Sequence, residues 1–448
     1  MAEADPNHQA FKLVNTDDYF KRETLEAEKR KLWPKVWIIA CRVEELQKKG
    51  DFYTLDIADE SILLSHDGEK AGAFYNVCQH RGRRLMSGSG CSAEGFTCGY
   101  HGWRWNPDGS IATVVDAGDW DVPGCKKPNV DLPAVRVDSW GGWYWVTMNA
   151  DAPPLLEYLA PIPDLLKHHD LEDCRRAWHV SVVFPCNWKL ALDAFNEGYH
   201  VEQTHRQIMR YGRPRSFSKA LGDHGWFGYP AYMQGKQVDE HRAEDFGHVK
   251  IEAVDYRKLI LERELERDEW LHAVISDYAI AAARRLQDDP VDPHDFPAVN
   301  ARYRELHREE YGKAGAKWPE RITSQDIEDA GTSIHIFPNS IFLPCIDGAL
   351  WYRARPNGDD PDSCIYDIWW IARFAEGKEP KVEHVFFKDV EAFVAANANP
   401  FLAQDFGNLR AQQQGVKSRG FKGALTSPVQ EIAVTNFHRA LADWLART

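Results

Sequence analysis

The chain has 448 residues, 44% of them hydrophobic and 27% charged, with 54 basic against 68 acidic residues for a net charge of -14. This length gives room for roughly two to four modules with cores of their own. The acidic balance excludes the general cationic field that nucleic acid requires, and no apolar run approaches the ~18 residues of a transmembrane helix.

The opening MAEADPNHQAF lacks the basic and apolar regions of a signal peptide. Of nine cysteines, Cys41, Cys125, Cys174, Cys186, Cys345 and Cys364 stand isolated rather than in a disulfide framework. A reducing, cytoplasmic location is expected. Residues 1–34 read as a helical lead-in, with Leu25, Lys29 and Leu32 at helical spacing and Pro34 as a stop. From 35 to about 152 the runs VWIIACRV, DFYTLDI, SILLSH, AGAFYNV and GGWYWVTMN, broken by Gly, Asp and Pro, predict a compact all-β domain.

DAPPLLEYLAPIPD is a Pro-rich connection into a second domain over 153–448. RRAWHVSVVFPCNWKL alternates like a strand and leads into a helical segment containing DAFNEGYHVEQTH. Residues 250–320 carry a helical insertion whose spacing predicts an amphipathic surface helix. From 332, SIHIFPNSIFL, GALWYRARP and CIYDIWWIARF predict antiparallel strands ending near Gly377. A last helix opens with a capping box at Ser427 and Gln430, Pro428 at its first position, and repeats Val434, Phe437, Leu441 and Trp444 on one face.

Two clusters point to metals. Cys78-Gln79-His80 is followed seventeen residues later by Cys98-Gly99-Tyr100-His101. A thiolate and an imidazole this close converge from one tight loop. A structural zinc site accepts the same four ligand types. Two features favour a [2Fe-2S] cluster with two imidazoles on one iron: each arm supplies one Cys and one His, and Gly82, Gly99 and Gly102 let backbone amides approach the sulfurs. CQHRG and CGYHGW closely resemble the two-arm motif of the Rieske family.

Downstream, NWKLALDAFNEGYHVEQTH places His200 five residues before His205, off a common helical face unless the helix bends. Taken alone, a chance pair among 18 histidines explains them as well. Together the two constellations resemble the alpha subunits of Rieske non-heme iron oxygenases of the aromatic ring-hydroxylating type. That resemblance implies an α+β chain: an all-β Rieske domain, then a helix-grip (START-like) catalytic domain with an antiparallel sheet around a buried cavity.

It further implies that His200, His205 and Asp405, in AQDFGNLRAQQQG, hold a mononuclear Fe(II), with Asp389 and Glu391 as competing carboxylates. Glu197 matches the acid that bridges the metal centres of neighbouring subunits, where many members have Asp; Glu202 is a second candidate. Asp193 stands where relatives often have Asn. By the same offsets Ala194, Gly198, Val201 and Phe401 approach the substrate.

The activity implied is hydroxylation of a small aromatic substrate with O2, leaning to cis-dihydroxylation. Monooxygenation, including O- or N-demethylation, is the alternative. No dinucleotide fingerprint is present, since GSGCSAEG has the wrong third glycine. Electrons are therefore expected from a separate NAD(P)H-dependent reductase, with or without a ferredoxin. Arg81, Arg83 and Arg84 either attract such a donor or pack around the cluster. The family also implies a homotrimer or alpha3beta3 assembly with electron transfer between neighbours. A pure electron carrier has no use for His200, His205 and Asp405, and a zinc-stabilised binding protein would be colourless.

Overall fold

The computed structural model describes residues 13–123, 128–211, 215–230 and 255–447; the first twelve residues of the lead-in, Cys125 and the start of the insertion at 250–254 lie outside them. The chain divides into two compact units, Leu25–Leu159 with the residues from Trp444 on, and Ala160–Asp443 with the residues up to Thr24.

In the first unit seven strands form one sheet, in the order Ile38–Arg42, Trp143–Thr147, Ala134–Trp140, Ala71–Tyr75, Glu60–His66, Asp51–Ile57 and Ser89–Cys91. Trp140 and Trp143 pair across Gly141-Gly142, both at positive φ (64° and 75°), the geometry of a two-residue hairpin turn. Ala134–Trp140 has no clear apolar alternation and was not expected as a strand; its hydrogen bonds come from neighbours on both sides. Phe52, Leu63, Phe74, Phe96, Trp103 and Trp105 form the core of this unit. Gly109 turns beneath it, where a Cβ would lie 2.3 Å from the Phe74 ring. Phe96–Thr97, Arg104–Trp105 and Ile111–Thr113 make a smaller sheet.

The second unit is built on eight strands ordered Phe217–Leu221, His224–Gly228, Ser333–Ile336, Ser340–Cys345, Gly348–Asn357, Asp360–Ala372, Arg175–Phe184 and His384–Phe387. All neighbours are antiparallel except the last, which runs parallel to Arg175–Phe184. The sheet is therefore wider than the expected 332–377. The hairpin at 217–228 mixes polar and apolar residues, and His384–Phe387 is a short edge; neither carries enough period to be read alone. Trp351, Tyr352, Tyr366 and Ile368 are buried on its two long central strands.

Three further expectations are corrected. DAFNEGYHVEQTH is not one helix: Trp188–Asp193 ends, an irregular turn follows, and a single turn Val201–Thr204 carries the rest. The insertion is three helices, Tyr256–Trp270, Asp277–Leu286 and Phe296–Ala314, each started by an Asp or Ser side chain that caps it. They pack a small core of their own through Ile260, Ala282, Leu286, Val299, Tyr303 and Leu306. Ser427 does accept from the amides of Val429 and Gln430, at 3.3 and 3.2 Å. The reciprocal bond to its own amide comes from Glu431 (2.6 Å), while Gln430 accepts from the Ser216 hydroxyl (2.8 Å).

Candidate metal centres

The two Cys-His arms of the first unit fold alike. The Cys78 amide donates to the Arg83 carbonyl (2.8 Å) and its carbonyl accepts from Gly82 (2.9 Å); Cys98 does the same with Trp103 (2.7 Å) and Gly102 (3.0 Å). Gly82 and Gly102 sit at φ +76° and +77°, so each arm turns back through a conformation that favours glycine. Cys78 and Cys98 are both buried. Burial raises the Cys78 thiol; for Cys98 burial is outweighed by the amides of Tyr100 and His101, the Cys78 thiol and the Arg83 guanidinium, and the thiol is lowered.

The rings of His80 and His101 lie 4.5 Å apart, and His80 stacks on Trp103 at 4.9 Å. His80 Nδ1 is buried with no hydrogen-bond partner, a cost unless an ion occupies that lone pair. Two thiols, two imidazoles and amides aimed at sulfur fit a [2Fe-2S] cluster. Arg81 lies over the Tyr100 ring, Arg83 beside Gly99, and Arg84 pairs with Asp56 at 2.8 Å. The arginines thus pack around the arms.

In the second unit His200 and His205 stand at the two ends of one helical turn, closed by the Thr204 amide on the His200 carbonyl and the His205 amide on the Val201 carbonyl, both at 2.9 Å. His200 precedes the one-turn helix and His205 ends it, and the carboxylate of Asp405, from the helix Pro400–Gly415, reaches both. Asp405 Oδ1 stands 2.9 Å from His205 Nε2 and 3.5 Å from His200 Nε2. All three ligating atoms lie within 4.8 Å of one another.

Each histidine is oriented from behind. Glu197 Oε1 lies 2.6 Å from His200 Nδ1, and Oε2 accepts from the His200 amide at 3.1 Å. Gln404 Oε1 lies 2.7 Å from His205 Nδ1. Both partners are acceptors, so each Nδ1 keeps the hydrogen and each Nε2 presents its lone pair toward Asp405. Burial disfavours charge on His200, but Glu197 and Asp405 outweigh it and raise its pKa. The same negative field favours a bound dication. Two imidazoles and one carboxylate on one side are the donor set of mononuclear non-heme Fe(II).

Asp389 and Glu391 are occupied elsewhere, Asp389 as a helix cap and Glu391 with Arg410 at 2.8 Å. Gly198, Val201, Glu202 and Phe401 line a cavity of about 400 Å³ that also opens on His200, His205 and Asp405. Phe401 stacks on the His205 ring at 3.9 Å. Ala194 and Asp193 are not in that lining. Asp193 accepts instead from the Tyr19 hydroxyl (2.5 Å) and lies 2.9 Å from His438 Nε2, because it ends its helix facing those two residues. Gln404 was missed; its only signal in the sequence is adjacency to Asp405. Arg263, Glu266, Arg267 and Trp270, on the insertion, also line the cavity.

Residues 171–447 match the family described as ring hydroxylating alpha subunit (catalytic domain), and residues 36–122 match the Rieske [2Fe-2S] domain. The chain belongs to the ring-hydroxylating alpha subunit family, in which a Rieske [2Fe-2S] domain precedes a catalytic domain that binds mononuclear iron. It is similar to the oxygenase subunit of carnitine monooxygenase of Acinetobacter baumannii, 30% identical over 190 residues, 42% of this chain and 51% of that one. It is also similar to the large oxygenase component of the naphthalene 1,2-dioxygenase system of Pseudomonas putida, 29% identical over 219 residues, 47% of each chain. The chain thus spans about half the length of the curated relatives it matches.

Among solved structures, a quaternary ammonium Rieske monooxygenase in complex with L-carnitine shares the fold at a TM-score of 0.63 and 18% identity, covering 97% of this chain and 96% of that one. Naphthalene 1,2-dioxygenase with indole bound matches at 0.61 and 17% identity, covering 98% and 92%.

Proposed function

We propose that the chain is the terminal oxygenase of a Rieske oxygenase system, which uses O2 and electrons from NAD(P)H through a separate reductase, with or without a ferredoxin, to hydroxylate a small aromatic substrate. The observation that carries this is the convergence of His200, His205 and Asp405 on the wall of a largely aromatic and aliphatic cavity, in a chain that also carries the Cys78, His80, Cys98 and His101 pocket. Cis-dihydroxylation is the leading outcome and monooxygenation the second; the similarity to relatives named for a dioxygenase and for a monooxygenase supports both. The protein is further proposed to act in the cytoplasm as a homotrimer or alpha3beta3 assembly. Among the described residues no helix is long and apolar enough to cross a membrane.

Cys78, Cys98, His80 and His101 would hold the cluster, and His200, His205 and Asp405 the iron. When bound, the two centres supply single electrons and the reduction of dioxygen. Glu197 and Gln404 hold the two imidazoles in one tautomer, so the ligand lone pairs need no reorientation. Glu197 is also the proposed contact toward the neighbouring subunit's cluster. Phe195, Phe227, Leu343, Leu350 and Tyr352 exclude water and position the ring of the substrate.

Protein purified without oxygen is to be assayed for iron, acid-labile sulfide and zinc. About three irons and two sulfides per chain are expected from one cluster and one mononuclear iron. With a reductase and 18O2, two labelled oxygens in the product mark dihydroxylation, while one labelled oxygen or release of formaldehyde marks monooxygenation. Zinc without sulfide in a colourless protein overturns the proposal.

A further inference from the structure

We propose that Val274 is a specificity-determining residue: a strained backbone holds its isopropyl group in the cavity wall, where it limits the size of the ring that reaches His200, His205 and Asp405. This rests on the oxygenase reading for what the admitted ring then meets.

Residues 271–276 join the helices Tyr256–Trp270 and Asp277–Leu286, and two of them, Leu271 and Val274, line the cavity. Val274 has φ +56°. Among the described non-glycine residues at positive φ it is the only β-branched one, whereas His272, at +51°, is of a type that enters this region more readily. A β-branched side chain there crowds its own backbone, so the conformation persists only where the surroundings impose it.

Here they do. The Leu271 carbonyl accepts from the Asn399 side chain, and the His272 carbonyl accepts from Trp178 Nε1 at 2.7 Å. The Ser276 hydroxyl donates to the buried Asp347 carboxylate and accepts from the Ala279 amide at 3.2 Å, which starts the next helix. Ala273 and Ile275, on either side of Val274, are 0% and 6% exposed. Anchors at 271, 272 and 276 and two buried side chains leave the chain one course, on which Val274 lies in the cavity wall. Asn399 also caps the helix that carries Asp405, so the same tie sets this wall relative to the iron site. Glycine fits such a backbone at no steric cost. A fold that keeps valine there instead points to use of the isopropyl group itself, since a methylene more or less in an apolar wall changes discrimination between ligands by roughly 10- to 200-fold.

The test compares Val274→Gly, Val274→Ala and Val274→Ile with the wild-type chain in two measurements, urea unfolding and binding of naphthalene and phenanthrene by quenching of tryptophan fluorescence, alongside iron and sulfide content. Both small variants remove the isopropyl group, so their order of stability reads the backbone alone. Val274→Gly should unfold at a higher urea concentration than Val274→Ala, the reverse of the order at an ordinary backbone position. In binding, the preference for naphthalene over phenanthrene should shift toward phenanthrene at least tenfold in both small variants and away from it in Val274→Ile. Val274→Ala more stable than Val274→Gly, failure of Val274→Gly to fold, a preference that all three variants leave unchanged, or no saturable binding of either arene to the wild-type chain overturns the proposal. Such a failure in a chain that holds iron and sulfide leaves the oxygenase reading intact. The expected shifts in a chain without either do the reverse.

Discussion

Five residues along a regular helix rotate a side chain by roughly 140° from its starting direction, and His200 and His205 flank a single helical turn, Val201–Thr204, that ends at His205, whose backbone is no longer helical. The rings then stand at 70° to each other, with Asp405 within reach of both Nε2 atoms. A second set, His179, Asp367 and His384, also has its ligating atoms within 4.8 Å. There the imidazoles stack nearly parallel at 4.0 Å, and Asp367 already accepts from Arg353 and Arg355. Ring lone pairs lie in the ring plane, so parallel rings do not converge on one ion, and two guanidiniums oppose a cation.

Replacing Gln404 by Leu removes the acceptor behind His205. Iron affinity should fall about 10- to 100-fold with the cluster spectrum unchanged, as measured by iron titration of the apo site. Gly198→Ala places a Cβ 2.6 Å from the Tyr229 hydroxyl and 2.9 Å from Ser216 Cβ. It should cost about 1–3 kcal/mol in urea unfolding, and adding Tyr229→Phe should recover part of the loss.

At the scale of elements, the central sheet is organised by a polar ladder as much as by its tryptophans. Asp367 pairs in register with Arg353 on one side and Ser181 on the other. Its carboxyl is buried, but Arg355 and Arg353 outweigh that burial and hold it well below the usual carboxylate range. Asp367→Ala leaves two arginines without their buried partner and should destabilise by about 3–5 kcal/mol, read from the denaturation midpoint.

His335 and His169 act in the opposite sense. Burial pushes their pKa values down to about 3 and about 4, so both are neutral in the fold. In the unfolded chain they take up protons near pH 6.5, and folding stability therefore falls as pH drops from about 6.5 toward those values, by up to about 1.4 kcal/mol per pH unit for each. His335→Gln should make that slope shallower in unfolding measured between pH 7.5 and 5. Strands that contain a clear apolar and aromatic run, such as GALWY in Gly348–Asn357, were legible in sequence; Phe217–Leu221 and His384–Phe387 were not, because their stability comes from neighbours rather than from their own pattern.

For the molecule as a whole, the two centres should be separable. Asp405→Ala is expected to lower iron from about three to about two per chain and leave the cluster's visible absorbance, while Cys98→Ser should remove the absorbance. Loss of both signals from Asp405→Ala would mean that the second unit does not fold around its site independently of iron. Cys78, His80, Cys98 and His101 could be proposed from sequence as cluster ligands because each Cys-His arm is local: its two residues lie within four positions and its turn within one glycine. His200 and His205, a weak pair by themselves, could be proposed only through the resemblance to a family.

Asp405 lies 200 residues from His205 in the chain, and only the resemblance to a family, never spacing, could single it out from Asp389 and Glu391. The Tyr19–Asp193–His438 cluster and the cavity residues Arg263 and Arg267 carry no local signal at all, and Gln404 none beyond its place beside Asp405. Local chemistry determined where metal could bind. Which face of a helix meets the cavity, and which of several carboxylates reaches a histidine, depends on how distant segments pack, and no window of sequence contains that information.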